Sequence, residues 1–216
     1  MIPRSLAITF CILISNIVFA EDGWELRKNE DGIIIYTRPV KDTPYSEFKA
    51  NTKVKTSLFS ILALWADPDT YVEWMFNCKD AGLLKRETKT ALYAYIVSDL
   101  PWPLMNREDI LFADTTQDPA SGIITIVLTG KPDFMPPKPE MVRVQHAYGK
   151  VVLIPSGNGE IEVNFNFFMN PGGMIPASIA NLNVLEFPFF TLKKMREVVK
   201  KKKYQETNFE FFTNYK

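Results

Sequence analysis

Seven short segments between residues 83 and 169 alternate apolar and polar side chains, and clusters of Gly, Pro, Asn or Asp separate them. Such alternation is typical of strands with one buried face, and short connections join neighbouring strands in antiparallel pairs. The predicted strands are Leu83–Glu87, Ala91–Val97, Ile110–Thr116, Ile123–Thr129, Met141–His146, Lys150–Ile154 and Glu160–Met169. This region therefore predicts an antiparallel sheet built from consecutive strands.

The residues before this region predict two further strands and three short helices, the last of them at Asp69–Trp74. Ile33–Thr37 and Glu47–Val54 read as paired strands, and Ser57 is placed to cap an apolar helix that ends at Trp65. Trp24–Lys28 fits a short first helix. The chain thus begins with mixed elements before the long run of strands.

A helical periodicity follows the last strand. From Pro176 to about Tyr204, apolar residues recur every three or four positions, and proline is favoured at the first position of a helix. Pro188 lies near the middle of this segment and must remove one backbone hydrogen bond, which predicts a kink. Strands followed by one dominant helix predict an α+β domain in which the helix packs across the sheet.

The N-terminus predicts export. Arg4 precedes the apolar run Leu6–Phe19, and small residues at positions 18 and 20 suit cleavage after Ala20 by signal peptidase. A membrane anchor is the alternative, but the run is short for a bilayer. We expect one domain over residues 21–216, located in the periplasm or, alternatively, secreted, with a tail at 206–216 whose role the sequence does not indicate.

Composition argues against several classes of function. The 25 basic residues equal the 25 acidic ones, and loss of Arg4 leaves a net charge of −1, so there is no cationic field for nucleic acid. His146 is the single histidine, and cleavage would leave Cys78 as the single cysteine. The usual zinc ligand sets and an internal disulfide are therefore excluded, and no glycine-rich phosphate loop is present. We expect no metal, cofactor or nucleic acid.

Five motifs, in order along the chain, resemble START domains, the steroidogenic-acute-regulatory-related lipid-transfer family. They are Trp24 with Asp31-Gly32-Ile33, Asp67–Trp74, Pro101–Asp109, Arg143–His146 and Asn170–Pro176. The resemblance covers about residues 24–200. It implies a helix-grip fold, in which a curved antiparallel sheet holds a long C-terminal helix over an apolar tunnel.

The resemblance also implies a function. START domains bind one lipid, such as a sterol, phospholipid or ceramide, and usually carry out no chemistry on it. Burial of a lipid in an apolar tunnel gains about 25 cal/mol per Å² of apolar surface. We therefore expect a monomeric, non-enzymatic lipid-binding or lipid-transfer protein that touches membranes transiently. The alternative is a helix-grip enzyme of the cyclase or aromatase type, which would need a convergent acid and base.

Strand alternation and helix periodicity predict which side chains line the tunnel. The candidates on the strands are Leu92, Ala94, Ile96, Leu111 and Ala113, and those on the helix are Ala180, Val184, Phe187 and Thr191. Sterol-binding members often hold an acid and an arginine in the tunnel. An ungapped register places Ala94 and Ala113 at those two positions, which argues against cholesterol.

The loop at 101–106 predicts a gate. Trp102 lies between two prolines on a stiff loop, and indole favours membrane interfaces, so Trp102, Leu104 and Met105 are the candidate gate and membrane contacts. The expected exchange step is opening of the C-terminal helix against this loop. Arg107 and His146 are candidate contacts for a lipid headgroup, with purely structural roles as the alternative.

Overall fold

The computed structural model describes residues 23–173 and 175–214. The predicted signal peptide and its cleavage site lie outside the described residues. In the described chain, ten strands form one sheet with the spatial order β1-β2-β3-β10-β9-β7-β6-β5-β4, and β8 pairs separately with β6. The strands are β1 (Glu25–Glu30), β2 (Ile33–Pro39), β3 (Ser46–Lys55), β4 (Cys78–Arg86), β5 (Ala91–Ser98), β6 (Arg107–Gln117), β7 (Ile124–Gly130), β8 (Val142–Arg143), β9 (His146–Pro155) and β10 (Glu160–Asn170).

Four helices accompany this sheet in the described residues. They are α1 (Leu58–Trp65), α2 (Tyr71–Trp74), α3 (Ala177–Val198) and α4 (Lys202–Gln205). The predicted cap is confirmed, since the Ser57 hydroxyl accepts a hydrogen bond from the Ser60 amide at 3.0 Å. Within the described chain, no helix combines the length and apolarity that crossing a bilayer requires.

The first segment is a strand, although Trp24–Lys28 predicts a helix. β1 pairs antiparallel with β2, with Glu30 opposite Ile33. Asp31 and Gly32 form the turn with φ values of 52° and 67°, the left-handed geometry that two-residue hairpins require. Pairing with β2 therefore overrides the weak helical pattern. The turn signal at Asp31-Gly32 could have indicated this hairpin.

Two other predicted elements are shorter than expected. Of Met141–His146, Val142–Arg143 forms a strand that runs parallel to β6, and His146 already belongs to β9. The predicted helix to Tyr204 ends at Val198, because Lys201 adopts an extended conformation with ψ of 139°. This break turns the chain so that the buried Tyr204 hydroxyl meets Asp67 at 3.0 Å and Thr70 at 2.9 Å.

The core lies between α1 and the inner face of the sheet. All eight residues of α1 are buried, and Trp65 packs edge-on against both Trp74 and Phe165, with ring centroids 5.0 and 5.1 Å apart. The second half of α3 closes the same core with Leu192 and Met195. The antiparallel sheet with a long C-terminal helix across it confirms the helix-grip architecture that the motifs imply.

A buried ion pair fixes the outer face of the sheet. Glu108 is fully buried, and its carboxylate meets the Arg143 guanidinium at 3.1 Å. The same carboxylate accepts hydrogen bonds from the Tyr95 hydroxyl at 2.8 Å and the Lys138 amide at 2.9 Å. Buried charges are tolerated when they are paired and hydrogen-bonded in this way. The arrangement orients β6, which enters the site described next.

Candidate functional site

A cavity of ≈ 130 Å³ lies between the first half of α3 and the open end of the sheet. Its wall is mostly apolar and comes from β3, β5, β6, β7, β10 and α3, together with residues 75–78. The apolar lining residues are Tyr45, Phe48, Met75, Phe76, Cys78, Ile96, Leu100, Leu111, Leu128, Phe165, Phe167, Met169, Pro171, Ile175, Ile179, Ala180, Val184 and Phe187. The polar ones are Ser46, Asn77, Ser98, Arg107, Asp109 and Asn183. Enclosed apolar clefts with few polar groups are typical of sites for hydrophobic ligands.

Four phenylalanine side chains lie next to one another in this wall. Phe48 packs edge-on against Phe165 with a 5.0 Å centroid separation, and Phe167 and Phe187 lie 6.4 and 6.1 Å from Phe48. Gly149 faces Phe167 across the β9–β10 pair, where an added Cβ would come within 2.3 Å of the Asn166 carbonyl oxygen. The absence of a side chain at Gly149 therefore allows the two strands to approach behind the aromatic wall.

The two halves of α3 are held differently. After Pro188, the helix is anchored, since Thr191 accepts a hydrogen bond from the Phe76 amide at 3.0 Å and Arg196 donates to the Gly32 carbonyl at 2.9 Å. Before Pro188, the residues over the cavity are exposed or only partly buried, and Asn181 holds this half by accepting a hydrogen bond from the Ser46 amide at 3.0 Å and donating one to the Pro44 carbonyl at 3.3 Å. The proline cannot donate to the Val184 carbonyl, so one helical hydrogen bond is missing where the two halves join.

Arg107 ties together the two loops beside the cavity. The side chain is only 3% exposed, and it donates to the carbonyls of Pro171 and Gly172 at 2.9 Å each and to that of Met105. Burial lowers the pKa of the guanidinium, but arginine remains charged in proteins. Gly172 and Gly173 have φ values of 61° and 63°, a left-handed conformation that glycine adopts without strain in the turn before the helix.

Asp109 is the acidic side chain of the cavity wall. It follows Arg107 on the same face of β6, is 6% exposed, and its Oδ1 has no hydrogen-bond partner among the described residues. Burial raises the pKa of this carboxyl to about 7. The Ile110 backbone amide and the Arg143 guanidinium favour the ionised form without offsetting the burial.

The nine predicted wall residues fall into two groups, because five of them line the cavity and four do not. Ile96, Leu111, Ala180, Val184 and Phe187 line the cavity. Alternation identified the inner face correctly, since β5 and β6 pair Ile96 with Asp109 and Leu92 with Ala113 on that face. Alternation alone could not predict which inward-facing residues lie at the cavity end of the strands.

Four predicted wall residues lie elsewhere. Leu92 and Ala113 border a separate small hollow next to α1, and Ala94 is packed in the main core. Thr191 is fully buried and holds α3 to the Phe76 amide. The far end of the inner face is filled by side chains, which is why these residues do not reach the cavity.

The C-terminal tail accounts for part of that filling. Phe209 packs edge-on against Phe59 with ring centroids 5.3 Å apart, and Phe211 and Phe212 cover the small hollow. The main chain of Thr213 exchanges two hydrogen bonds with the Gln117 side chain, each 2.8 Å long. The described part of the tail therefore closes the end of the sheet opposite the cavity.

The predicted gate residues and the predicted headgroup contacts lie in different surroundings. Trp102 is 92% exposed, Met105 is exposed and Leu104 is partly buried, so the loop presents apolar side chains to solvent. Arg107 lines the cavity, and each of its three guanidinium nitrogens donates to a backbone carbonyl. His146 is exposed at the start of β9 and is absent from the cavity wall.

Sequence reasoning did not select Asp109, Phe48, Phe165 or Phe167 for the wall. The phenylalanines occupy alternate positions of predicted strands, so extending the inner-face pattern to β3 and β10 could have found them. A charge at Asp109, at the start of a strand after a Pro-rich loop, suits either a tie to that loop or contact with a headgroup. Its adjacency to Glu108 was informative, because successive strand residues face opposite ways and one of the two acids had to face inward.

Comparisons with known proteins agree with this architecture. The family model of the START domain matches residues 9–204. The chain belongs to the START family. An uncharacterised protein of Pseudomonas aeruginosa is 34% identical over 183 residues, which are 85% of this chain and 89% of that protein.

Solved structures of START proteins superpose on the chain. A STAR-related lipid transfer protein fragment from Xanthomonas axonopodis has a TM-score of 0.78 and 32% identity, covering 83% of this chain and all of that one. Human STARD10, at 19% identity and a TM-score of 0.72, covers 86% of this chain and 76% of its own and shows the same fold. START membership thus supports lipid binding at the level of the family.

We predict that Asp109→Asn stabilises the ligand-free protein more at pH 8 than at pH 4.5. The folded-state pKa of about 7 lies above the ordinary value of 3.8, so the folded protein holds this proton where the unfolded chain has lost it. The unfolding free energy therefore falls as pH rises from about 4 to about 7. The gain in melting temperature from Asp109→Asn should be at least about 4 °C larger at pH 8 than at pH 4.5. For a domain of this size, 1 kcal/mol of unfolding free energy shifts the melting temperature by about 2–4 °C.

The control for this prediction is Asp114→Asn, an exposed position on the outer face of β6. Charged and titratable groups around Asp109 include Arg107 beside it on β6, Arg143 from β8, and Tyr45 and Cys78 across the cavity. None of these groups changes in either variant. An equal change in melting temperature at both pH values for Asp109→Asn would contradict the raised pKa of the Asp109 carboxyl.

Proposed function

We propose that this protein binds one lipid in the cavity beneath α3 and carries it between membranes. The observation that supports this most directly is the enclosed wall of phenylalanine, leucine, isoleucine and methionine side chains within a START fold. A lipid chain that displaces water from such a wall gains about 25 cal/mol per Å². The chain carries the cargo without modifying it.

In this proposal, the first half of α3 and the loop at 101–106 act as the gate. The second half of α3 stays fixed through Thr191 and Arg196. The first half breaks the two Asn181 hydrogen bonds and moves about the weakened turn at Pro188. Helix motions of this kind are a common way to admit a ligand. A movement that widens the cavity is required for long ligands, because its volume of ≈ 130 Å³ is close to that of apolar cavities of about 150 Å³ that hold one aromatic ring.

Trp102 and Met105 contact the membrane during exchange. Both are exposed on a loop that Arg107 ties to the cavity rim, and Ile179 and Leu182 are exposed on the facing half of α3. Tryptophan partitions into the membrane interface. Contact at this end would open the cavity toward the lipid instead of toward water.

The cavity wall gives less support to an enzyme of the cyclase or aromatase type. Such a site needs a convergent acid and base. Among the lining residues that the structure describes, Asp109 is the acid. Arg107 is the basic side chain, and each of its three guanidinium nitrogens already donates to a backbone carbonyl. Burial raises the pKa of the Cys78 thiol to about 11, which makes it a poor nucleophile.

We also propose that the chain is exported and works in the periplasm. The apolar run Leu6–Phe19 and the small residues before Glu21 support this. Expression of the full sequence in a bacterium with a periplasm should give a mature protein whose intact mass corresponds to residues 21–216. A product that retains residues 1–20 would contradict export by a cleaved signal peptide.

We predict that the protein accelerates lipid transfer between vesicles and that Trp102→Ala slows it. Donor vesicles carry either dehydroergosterol or a pyrene-labelled phosphatidylcholine, and arrival in acceptor vesicles is followed by fluorescence. Loss of about 1 kcal/mol of interfacial binding corresponds to a roughly fivefold slower rate. The amount of probe bound at equilibrium should stay unchanged, because Trp102 is outside the cavity wall.

Leu26→Ala is the matched control, since Leu26 is also an exposed apolar residue but lies on β1. It should transfer lipid at the unmodified rate. Transfer of neither probe by the unmodified protein would contradict the carrier proposal. An equal slowing by both variants would contradict a specific role for the loop.

A further inference from the structure

Asp109 presents an unpaired polar atom to an otherwise apolar part of the cavity. On the inner face of β6 its neighbours are Arg107 and Leu111, and Ile96 lies opposite on β5. The ungapped register places Ala94, and not Asp109, where sterol-binding members often hold an acid. Asp109 is therefore a separate feature of this chain.

The basic residues near Asp109 are committed to other partners. The Arg107 guanidinium donates to three backbone carbonyls, and the Arg143 guanidinium pairs with Glu108 and donates to the carbonyls of Met135 and Pro136. The Oδ1 atom of Asp109 thus has no donor from the described chain. Leaving a buried polar atom unpaired costs free energy, which an apolar residue at this position would avoid.

We propose that Asp109 accepts a hydrogen bond from the hydroxyl group of an otherwise apolar ligand and so selects hydroxyl-bearing lipids for this cavity. This inference rests on the proposed lipid-binding function. The ligand hydroxyl supplies the donor that Oδ1 lacks, and the apolar body of the ligand lies against the phenylalanine wall.

The need for a donor decides between this ligand and other amphiphiles. Neither a phosphodiester anion nor a quaternary amine carries a hydrogen that it could donate to the unpartnered Oδ1 of Asp109. A neutral hydroxyl carries one. It can also donate to the ionised carboxyl or accept from the protonated one, which suits a group whose pKa is about 7.

The test compares ligands that differ only in the hydroxyl. Hexadecan-1-ol and its methyl ether, and cholesterol and its methyl ether, are titrated against protein loaded with the neutral fluorescent probe N-phenyl-1-naphthylamine. The two pairs distinguish a chain alcohol from a ring alcohol. A hydrogen bond to a charged group contributes about 1.5–3 kcal/mol, so at least one alcohol should bind roughly tenfold or more tightly than its ether. Hexadecylphosphocholine should bind more weakly than hexadecan-1-ol.

Variants at position 109 assign the preference to the carboxyl. Asp109→Leu should bind the alcohol and its ether within about threefold of each other, and Asp109→Asn should retain part of the preference because its amide oxygen still accepts. Asp114→Ala, on the outer face of the same strand, should keep the unmodified preference. Binding of the ether by Asp109→Leu also shows that this variant is folded.

The outcomes separate this inference from the proposed function. If both members of each pair bind the unmodified protein equally well, lipid binding stands and the role of Asp109 is overturned. If the preference survives in Asp109→Leu, the hydroxyl is recognised by another group and the inference is again overturned. If no alcohol, ether or phosphocholine displaces the probe, the proposed lipid binding fails as well.

Discussion

The hydrogen bonds of Arg107 determine the shape of the cavity mouth. This one side chain joins the loop before β6 to the glycine turn before α3, because its donors reach the carbonyls of Met105, Pro171 and Gly172. The clamp places the loop that bears Trp102 beside the first half of α3. It also occupies the cation that could otherwise have paired with Asp109. A buried carboxyl with one oxygen that has no partner among the described residues is thus a consequence of how the rim is built.

Three successive charged residues at the start of β6 illustrate how strand alternation assigns roles. Arg107 and Asp109 face inward, and Glu108 faces outward to pair with Arg143 and to accept from Tyr95. The outward acid is paired with a cation and hydrogen-bonded, whereas burial disfavours the ionised form of the inward acid. Residues that carry such a cost without a structural partner are candidates for ligand recognition.

Much of the architecture could be predicted, because it follows from local patterns. Apolar alternation indicated the strands from Ala91 onward, the Ser57 cap located α1, and the motif around Asn170–Pro176 located the start of α3. Predictions failed where tertiary contacts decide the conformation. β1 forms by pairing with β2, and α3 ends early because the turn after Val198 buries Tyr204.

The site was only partly predictable for a related reason. Periodicity gives the face of a strand or helix, so Ile96, Leu111, Ala180, Val184 and Phe187 were found. It does not give the depth of a cavity, which depends on what fills the rest of the sheet. Here α1 and the aromatic tail fill the end that contains Leu92 and Ala113.

The space under α3 is where we propose that the lipid binds. Native mass spectrometry of the protein purified from the cells that make it, without any step that strips lipid, tests this most directly. We expect the polypeptide to carry one bound apolar molecule, released on denaturation and recovered by organic extraction. A mass equal to that of the polypeptide alone in every preparation would contradict the account.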